Sequence, residues 1–163
     1  MAKLLEYGHS EDLTSILGRR LTDKSIFIIC PVRKVGPKIN KKIAAYVAEL
    51  EAKGHEVYWP HRDNPYQETD SVGTQIVAYN RVEMCRADEV HIWYSKKSIG
   101  SIFDIGMFFA LVYNNFKKFV IINRENITPT PGKSFENVLL ALEKYFDNPT
   151  ANGLKERWKK HGK

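Results

Sequence analysis

The chain has 163 residues, a hydrophobic fraction of 43% and a formal net charge of +6. This length predicts a single domain, and the apolar content is enough for a packed core, which excludes a disordered chain. No apolar run approaches the roughly 20 residues of a membrane span, and the first residues lack the apolar core of a signal peptide. We therefore expect a cytoplasmic protein with no membrane partner.

The cysteines and the basic C-terminus narrow the functional classes further. Cys30 and Cys85 lack the spacing of metal ligands, so we expect two buried free thiols in a reducing compartment and no metal site. Residues 155–163 carry five Lys or Arg and one Glu, so most of the net charge lies in this tail. Such a tail is typically solvated, and nucleic-acid binding stays open as an alternative.

The hydrophobic pattern divides the chain into an extension with a short helix (1–24), one domain (25–146) and the basic tail (147–163). The domain begins with Ser25–Cys30, an apolar run that is too short for a helix and predicts a strand buried on both faces. A helix with an apolar stripe follows over 37–53. The remaining predicted elements are a strand over 55–59, a polar loop over 60–70, a helix over 71–87, a strand over 90–94, a largely apolar helix over 101–113, a strand over 119–122 and a helix over 134–145.

Strands that alternate with helices at this spacing predict right-handed crossovers and a parallel sheet. The expected fold is a three-layer α/β sandwich with a flavodoxin-like or Rossmann-like parallel sheet of four to five strands. The helix over 101–113 has more apolar surface than one sheet face covers, so we expect it to be buried on several sides or to pack against another subunit. Ligands of such sheets bind at the carboxyl edge of the strands.

Two predicted loops at that edge carry candidate binding residues. Arg33 and Lys38 flank the start of the first helix, where cations and backbone N–H groups suit a phosphate; ordinary surface charge is the alternative. Trp59 and His61 follow the second strand, and the indole either stacks on a base or packs against a neighbouring helix. No Walker motif or glycine-rich dinucleotide fingerprint is present, which disfavours ATP and NAD.

Asp104 is the most informative residue, because it follows the third strand and a glycine-containing turn. Two interpretations are open. Ser101-x-x-Asp104 matches a capping box, in which the carboxylate would bind a backbone N–H of its own helix. Alternatively, the carboxylate faces a cleft and acts as a nucleophile on an anomeric carbon or stabilises an oxocarbenium-like transition state. Gly100 and Gly106 would then allow close approach of a ligand and close packing of the helix on the sheet.

Two segments resemble the signature of a known family. The first is Ala87-Asp88-Glu89-Val90, at the start of the third strand. The second is Ser98-Ile-Gly-Ser-Ile-Phe-Asp-Ile-Gly106, which is followed by Ala110-Leu111. This pattern is similar to that of the nucleoside 2-deoxyribosyltransferase family, which includes deoxynucleoside 5′-monophosphate N-glycosidases. The resemblance covers about residues 25–146.

The resemblance implies cleavage of the N-glycosidic bond of a nucleoside or nucleoside 5′-monophosphate on a flavodoxin-like sheet. It also implies a homodimer or larger homo-oligomer. A carboxylate and an anion pocket suffice for this chemistry, so we expect no cofactor. The family's nucleophilic glutamate falls on Asp104, and its phosphate-binding serine and glycine fall on Ser98 and Gly100. The other positions expected to contact the nucleotide are Pro31, Arg33, Asn80 and, on the base side, Trp59 and His61.

The chain departs from the family pattern at two of these positions. Asp104 is one methylene shorter than glutamate, and a misplacement of about 1 Å can cost about 10²-fold in rate. Asn80 is neutral where the family carries an acid, so a proton donor or an orienting charge is lost. The alternative function is therefore a catalytically silent nucleotide-binding protein, a sensor or sponge, on the same fold.

Overall fold

The computed structural model describes residues 23–33, 35–111 and 118–147. The predicted N-terminal helix and the basic residues from 148 onward lie outside the described residues. Within the described ranges the chain forms one parallel sheet with helices on both faces. The predicted α/β sandwich is thus confirmed.

The sheet contains four strands in the spatial order β2-β1-β3-β4, all parallel. The strands are β1 (Ser25–Ile29), β2 (Glu56–Tyr58), β3 (Glu89–Ile92) and β4 (Lys118–Ile121). Ile29 pairs with Ile92, and Ile92 pairs with Ile121, so three strands end level with one another. The chain reverses its direction across the sheet between β1 and β3, and ligands of open α/β sheets bind outside such a reversal point.

The described helices are α1 (Pro37–Ala52), α2 (Pro60–Asp63), α3 (Thr74–Arg86), α4 (Ile99–Leu111) and α5 (Phe135–Asp147), with a 3₁₀ turn over Arg124–Asn126. These bounds lie within three residues of the predicted ones. One difference is α2, a single turn inside the segment expected to be only loop. Pro60 at its first position presets a helical φ, and the missing N–H of proline costs nothing there.

Side chains of β1, and that of Cys30 directly after it, alternate between two apolar clusters. Ile26, Ile28 and Cys30 pack on the α1 side, and Phe27 and Ile29 pack on the side of α3, α4 and α5. Both faces of β1 are therefore buried, which explains why its sequence is continuously apolar rather than alternating.

The start of α3 is set by one carboxylate. Asp70 Oδ1 accepts hydrogen bonds from the N–H groups of Val72 and Gly73, and Oδ2 accepts from Gln75 and Ile76. These bonds, the one from Gly73 foremost, hold the pKa of Asp70 below its ordinary value. Gly73 has φ +96, which a residue with a Cβ rarely adopts, so the helix begins at residue 74 rather than 71.

Helix α4 is less buried than its sequence predicts. Its buried side chains are Ser101, Ile105 and Phe108, but Ile99 is 83% exposed and Phe103 is 58% exposed. The sequence allowed either burial of this helix on several sides or packing against another subunit. Because Ile99 and Phe103 are exposed, burial on several sides within one chain is wrong.

Two further expectations concern membrane helices and the burial of the cysteines. None of the described helices is both long and apolar enough to cross a bilayer. Cys30 is buried as expected, whereas Cys85 is exposed, so the expectation of two buried thiols is wrong for Cys85.

Candidate functional site

Asp104 lies in the second turn of α4 rather than in its first turn. The helix begins at Ile99, because Ser98 occupies the position before it and its Oγ accepts a hydrogen bond from the N–H of Ser101 at 3.3 Å. The two serine Oγ atoms are 2.8 Å apart. Ser98 therefore caps the helix, and the interpretation of Ser101-x-x-Asp104 as a capping box is wrong.

The Asp104 carboxyl group is partly buried and lies next to Asn80 of α3. Burial raises its pKa from an ordinary value of 3.8 to about 7, and hydrogen bonding from the Asn80 side chain opposes the rise. No charge on a described residue contributes to this shift. Near neutral pH the group thus exists as both acid and carboxylate.

Asn80 brings α3 next to Asp104. It is only 4% exposed, and its Oδ1 accepts a hydrogen bond of 2.8 Å from Nδ2 of Asn64, which is equally buried. An amide pair and a carboxyl group therefore form a polar cluster between α3 and α4, next to an apolar core. We call Asn64, Asn80 and Asp104 the amide–carboxylate cluster.

The end of β1 borders this cluster. Burial raises the pKa of the Cys30 thiol to about 12; the Trp59 indole lowers it, and the charge of Asp104 raises it further. Trp59 Nε1 makes no hydrogen bond of ordinary length with a described residue, although the indole is close enough to the Cys30 thiol to lower its pKa. Cys30 stays neutral at physiological pH, so it is an inert neighbour of Asp104 rather than a nucleophile.

The remaining predicted nucleotide contacts lie around this edge. Pro31 directly follows Cys30 and is partly buried, and Arg33 is exposed in the turn after it. Trp59 is only 8% exposed and belongs to the α1-side cluster, so it packs as a core residue. His61 is exposed, with its ring 5.3 Å from that of Trp59. No described contact joins Arg33 or His61 to Asp104.

The two glycines of α4 do not serve close helix packing. Gly100 and Gly106 are exposed, and a Cβ added at either would meet no atom within 4 Å. The expectation that Gly106 lets the helix approach the sheet is therefore wrong. At Gly100 the same open space leaves the first turn of α4 accessible to a ligand.

A separate groove of about 380 Å³ lies at the same sheet edge, between α1, the ends of β3 and β4, and the start of α5. Lys38 and Lys42 from α1 line it, one helical turn apart, together with Trp93 and Lys96. Lys96 pairs with Glu136 at 3.2 Å. Lys38 thus faces a groove that is lined by residues other than Asp104 and Asn80.

Sequence reasoning missed Asn64 and Asp70, which lie in the segment predicted to be a polar loop. An asparagine and an aspartate in such a segment are typical turn residues, and nothing local distinguishes them. Their roles appear only once α3 folds against the loop. Among the described residues no three His, Cys, Asp or Glu side chains are grouped to hold a metal ion.

A comparison of the chain with protein-family models gives no match, and neither does a comparison with curated proteins. The resemblance to the nucleoside 2-deoxyribosyltransferases therefore stays a prediction carried by the quoted segments.

The raised pKa of Asp104 predicts a pH-dependent cost to stability. The folded state favours the neutral carboxyl. The stability that protonated Asp104 contributes is therefore complete below pH about 4 and is lost as the pH rises through about 7. Asp104→Asn cannot ionise, so its free energy of unfolding relative to wild type should be about 1–3 kcal/mol higher at pH 8 than at pH 5. Urea unfolding at both pH values measures this difference.

Glu68→Gln is the matched control, because Glu68 is exposed and has no hydrogen bond or ion pair with another described residue. It should change the free energy of unfolding equally at both pH values. An equal change for Asp104→Asn at pH 5 and pH 8 would show that Asp104 is not desolvated in the folded protein.

Proposed function

We propose that the chain cleaves the N-glycosidic bond of a nucleoside or nucleoside 5′-monophosphate, by hydrolysis or by deoxyribosyl transfer, with Asp104 as the nucleophile. The observation that carries the proposal is the partly buried Asp104 carboxyl group, whose pKa is raised to about 7 at the carboxyl edge of a parallel sheet. Strongly shifted acids in such positions are typical of functional sites.

The chemistry requires only the carboxylate and a leaving base. An Asp104 oxygen forms a bond to C1′ of the sugar while the C1′–N bond breaks, and the base leaves with the electron pair and takes up a proton from solvent. Water or a second base then attacks C1′ and loses a proton to solvent, while the bond between C1′ and Asp104 breaks; this releases the sugar product and restores the carboxylate. Because ionised Asp104 attacks, the reactive fraction grows as the pH rises through its pKa.

The first turn of α4 supports binding of a 5′-phosphate. The N–H groups of Ile99 and Gly100 lie at the helix N-terminus, where the first N–H groups lack acceptors within the helix and the helix dipole favours an anion. Ser98 caps this turn, and the open space around Gly100 leaves it accessible. Arg33 adds an exposed cation after β1.

A second candidate function is nucleotide binding without turnover. Two observations favour it: the Asp104 side chain is shorter than the family's glutamate, and Asn80 offers a neutral amide where the family has an acid. A sensor or sponge would use the same edge of the sheet and would be stabilised by nucleotides without consuming them.

The first experiment measures base release from a panel of deoxynucleosides and their 5′-monophosphates by chromatography. Wild type should release a free base, and Asp104→Ala should lower that rate by at least about 10³-fold, because no nucleophile remains. Asp104→Glu keeps a carboxylate and should retain activity. Glu68→Gln should match wild type.

Absence of base release from every wild-type substrate would overturn the enzymatic proposal. In that case, a rise in melting temperature with a nucleotide would identify the silent binder instead. Equal activity of Asp104→Ala and wild type would exclude Asp104 as the nucleophile.

We also propose that two copies of the chain associate through α4. Ile99 and Phe103 lie one helical turn apart and are 83% and 58% exposed, so they form an apolar stripe on one face of the helix. Association of two such faces would remove this apolar surface from water.

Sedimentation velocity tests the association. Wild type should sediment as a dimer, and Phe103→Glu should shift it to the monomer, because the new charge would be buried without a partner. Val72→Glu is the control, since Val72 is 80% exposed outside α4. A monomeric wild type, or an equal effect of both substitutions, would contradict the proposed interface.

A further inference from the structure

Asn64 has a side-chain amide whose orientation is fixed by the main chain. The residue lies between α2 and α3 and is 4% exposed. Its Oδ1 accepts a hydrogen bond of 3.0 Å from the N–H of Tyr66, and its Nδ2 donates one of 3.1 Å to the carbonyl of Ile76. A backbone N–H only donates and a carbonyl only accepts, so the Asn64 amide has one orientation that satisfies both.

This fixed orientation determines the orientation of Asn80. The second hydrogen of Asn64 Nδ2 is donated to Oδ1 of Asn80 at 2.8 Å. A reversed Asn80 amide would set two NH₂ groups against each other in a buried site, which leaves donors unsatisfied. The Nδ2 end of Asn80 is therefore the end that is available to Asp104.

We propose that Asn64 is a positioning residue for Asp104, because it holds the Asn80 amide with its N–H donors towards the carboxylate. The importance of this role for catalysis rests on the proposed function, whereas the hydrogen bonds that orient Asn80 do not. The hydrogen bond would stabilise the ionised, nucleophilic form of Asp104 and hold one carboxylate oxygen, which leaves the other oxygen for C1′. The chain thereby uses a neutral amide where the resemblance leads one to expect an acid.

Few described groups other than Asn80 influence the ionisation of Asp104. Asn80 faces it from α3, and the nearby Cys30 thiol, directly after β1, stays neutral at physiological pH. No described charged side chain contributes to its titration. Hydrogen bonding from Asn80 is thus the described interaction that counters the burial of the carboxylate. If Asn80 were reversed, its oxygen would face the carboxylate and disfavour the ionised form.

The test measures the pKa of Asp104 directly, by a carbon-13 NMR titration of the side-chain carboxyl in the full chain. Asn64→Leu removes the bond that orients Asn80 and should raise the pKa of Asp104 by about one pH unit. Asn80→Leu should raise it at least as much. In the Asn80→Leu background, the Asn64 substitution should cause no further change, because its effect passes through Asn80.

Asn126→Leu is the control, since Asn126 is exposed and far from the cluster in sequence; it should leave the Asp104 titration unchanged. If Asn64→Leu does not fold, Asn64→Asp keeps the size and the bond from Tyr66 but, when ionised, has no hydrogen to donate to Asn80. It should raise the pKa of Asp104 more in the wild-type background than in the Asn80→Leu background.

An Asp104 pKa that stays at its wild-type value in a folded Asn64 variant, or that changes equally with and without Asn80, would overturn the positioning role. A lowered melting temperature with an unchanged titration would likewise mean that Asn64 is only structural. This readout needs no substrate. A chain that releases no base but shows the predicted pKa changes would therefore disprove the proposed function while leaving the positioning role in place.

Discussion

The site depends on two opposing effects on one carboxyl group: burial disfavours its ionised form, and a hydrogen bond from one amide stabilises that form. Burial alone would keep Asp104 neutral, and a neutral carboxyl is a poor nucleophile. Asn80 counters this burial, and Asn64 fixes the direction in which Asn80 donates. A pKa of about 7 therefore results from two interactions of opposite sign, and loss of either would move the titration away from neutrality.

The positions at which two helices start bring Asn80 and Asp104 together. Asp70 fixes where α3 begins, and this sets which face of α3 presents Asn80. Ser98 fixes where α4 begins, so Asp104 falls in the second turn rather than at the cap. A one-residue shift in the register of either helix would rotate its side chains by about 100° around the helix axis and separate the two side chains. The site is thus as dependent on capping as on the sheet that supports both helices.

The sequence alone predicts the sheet well and the site only in part. Burial of both faces of Ser25–Ile29 requires a continuous apolar run, and this run predicts the strand. The start of α4 is harder to predict, because Ser98 and Ser101 are both good caps and only the folded structure decides between them. Asn64 is out of reach of sequence reasoning, since its partners lie 12 and 16 residues away on another element.

If Asp104 is the nucleophile, its carboxylate faces the sugar of a bound nucleotide. A crystal structure of the chain soaked with a deoxynucleoside 5′-monophosphate tests it most directly, through the distance between an Asp104 carboxylate oxygen and C1′. We expect about 3–3.5 Å, the separation of reacting atoms in a near-attack geometry. A nucleotide bound in the groove along Lys38 and Lys42, with Asp104 out of reach of C1′, would contradict it.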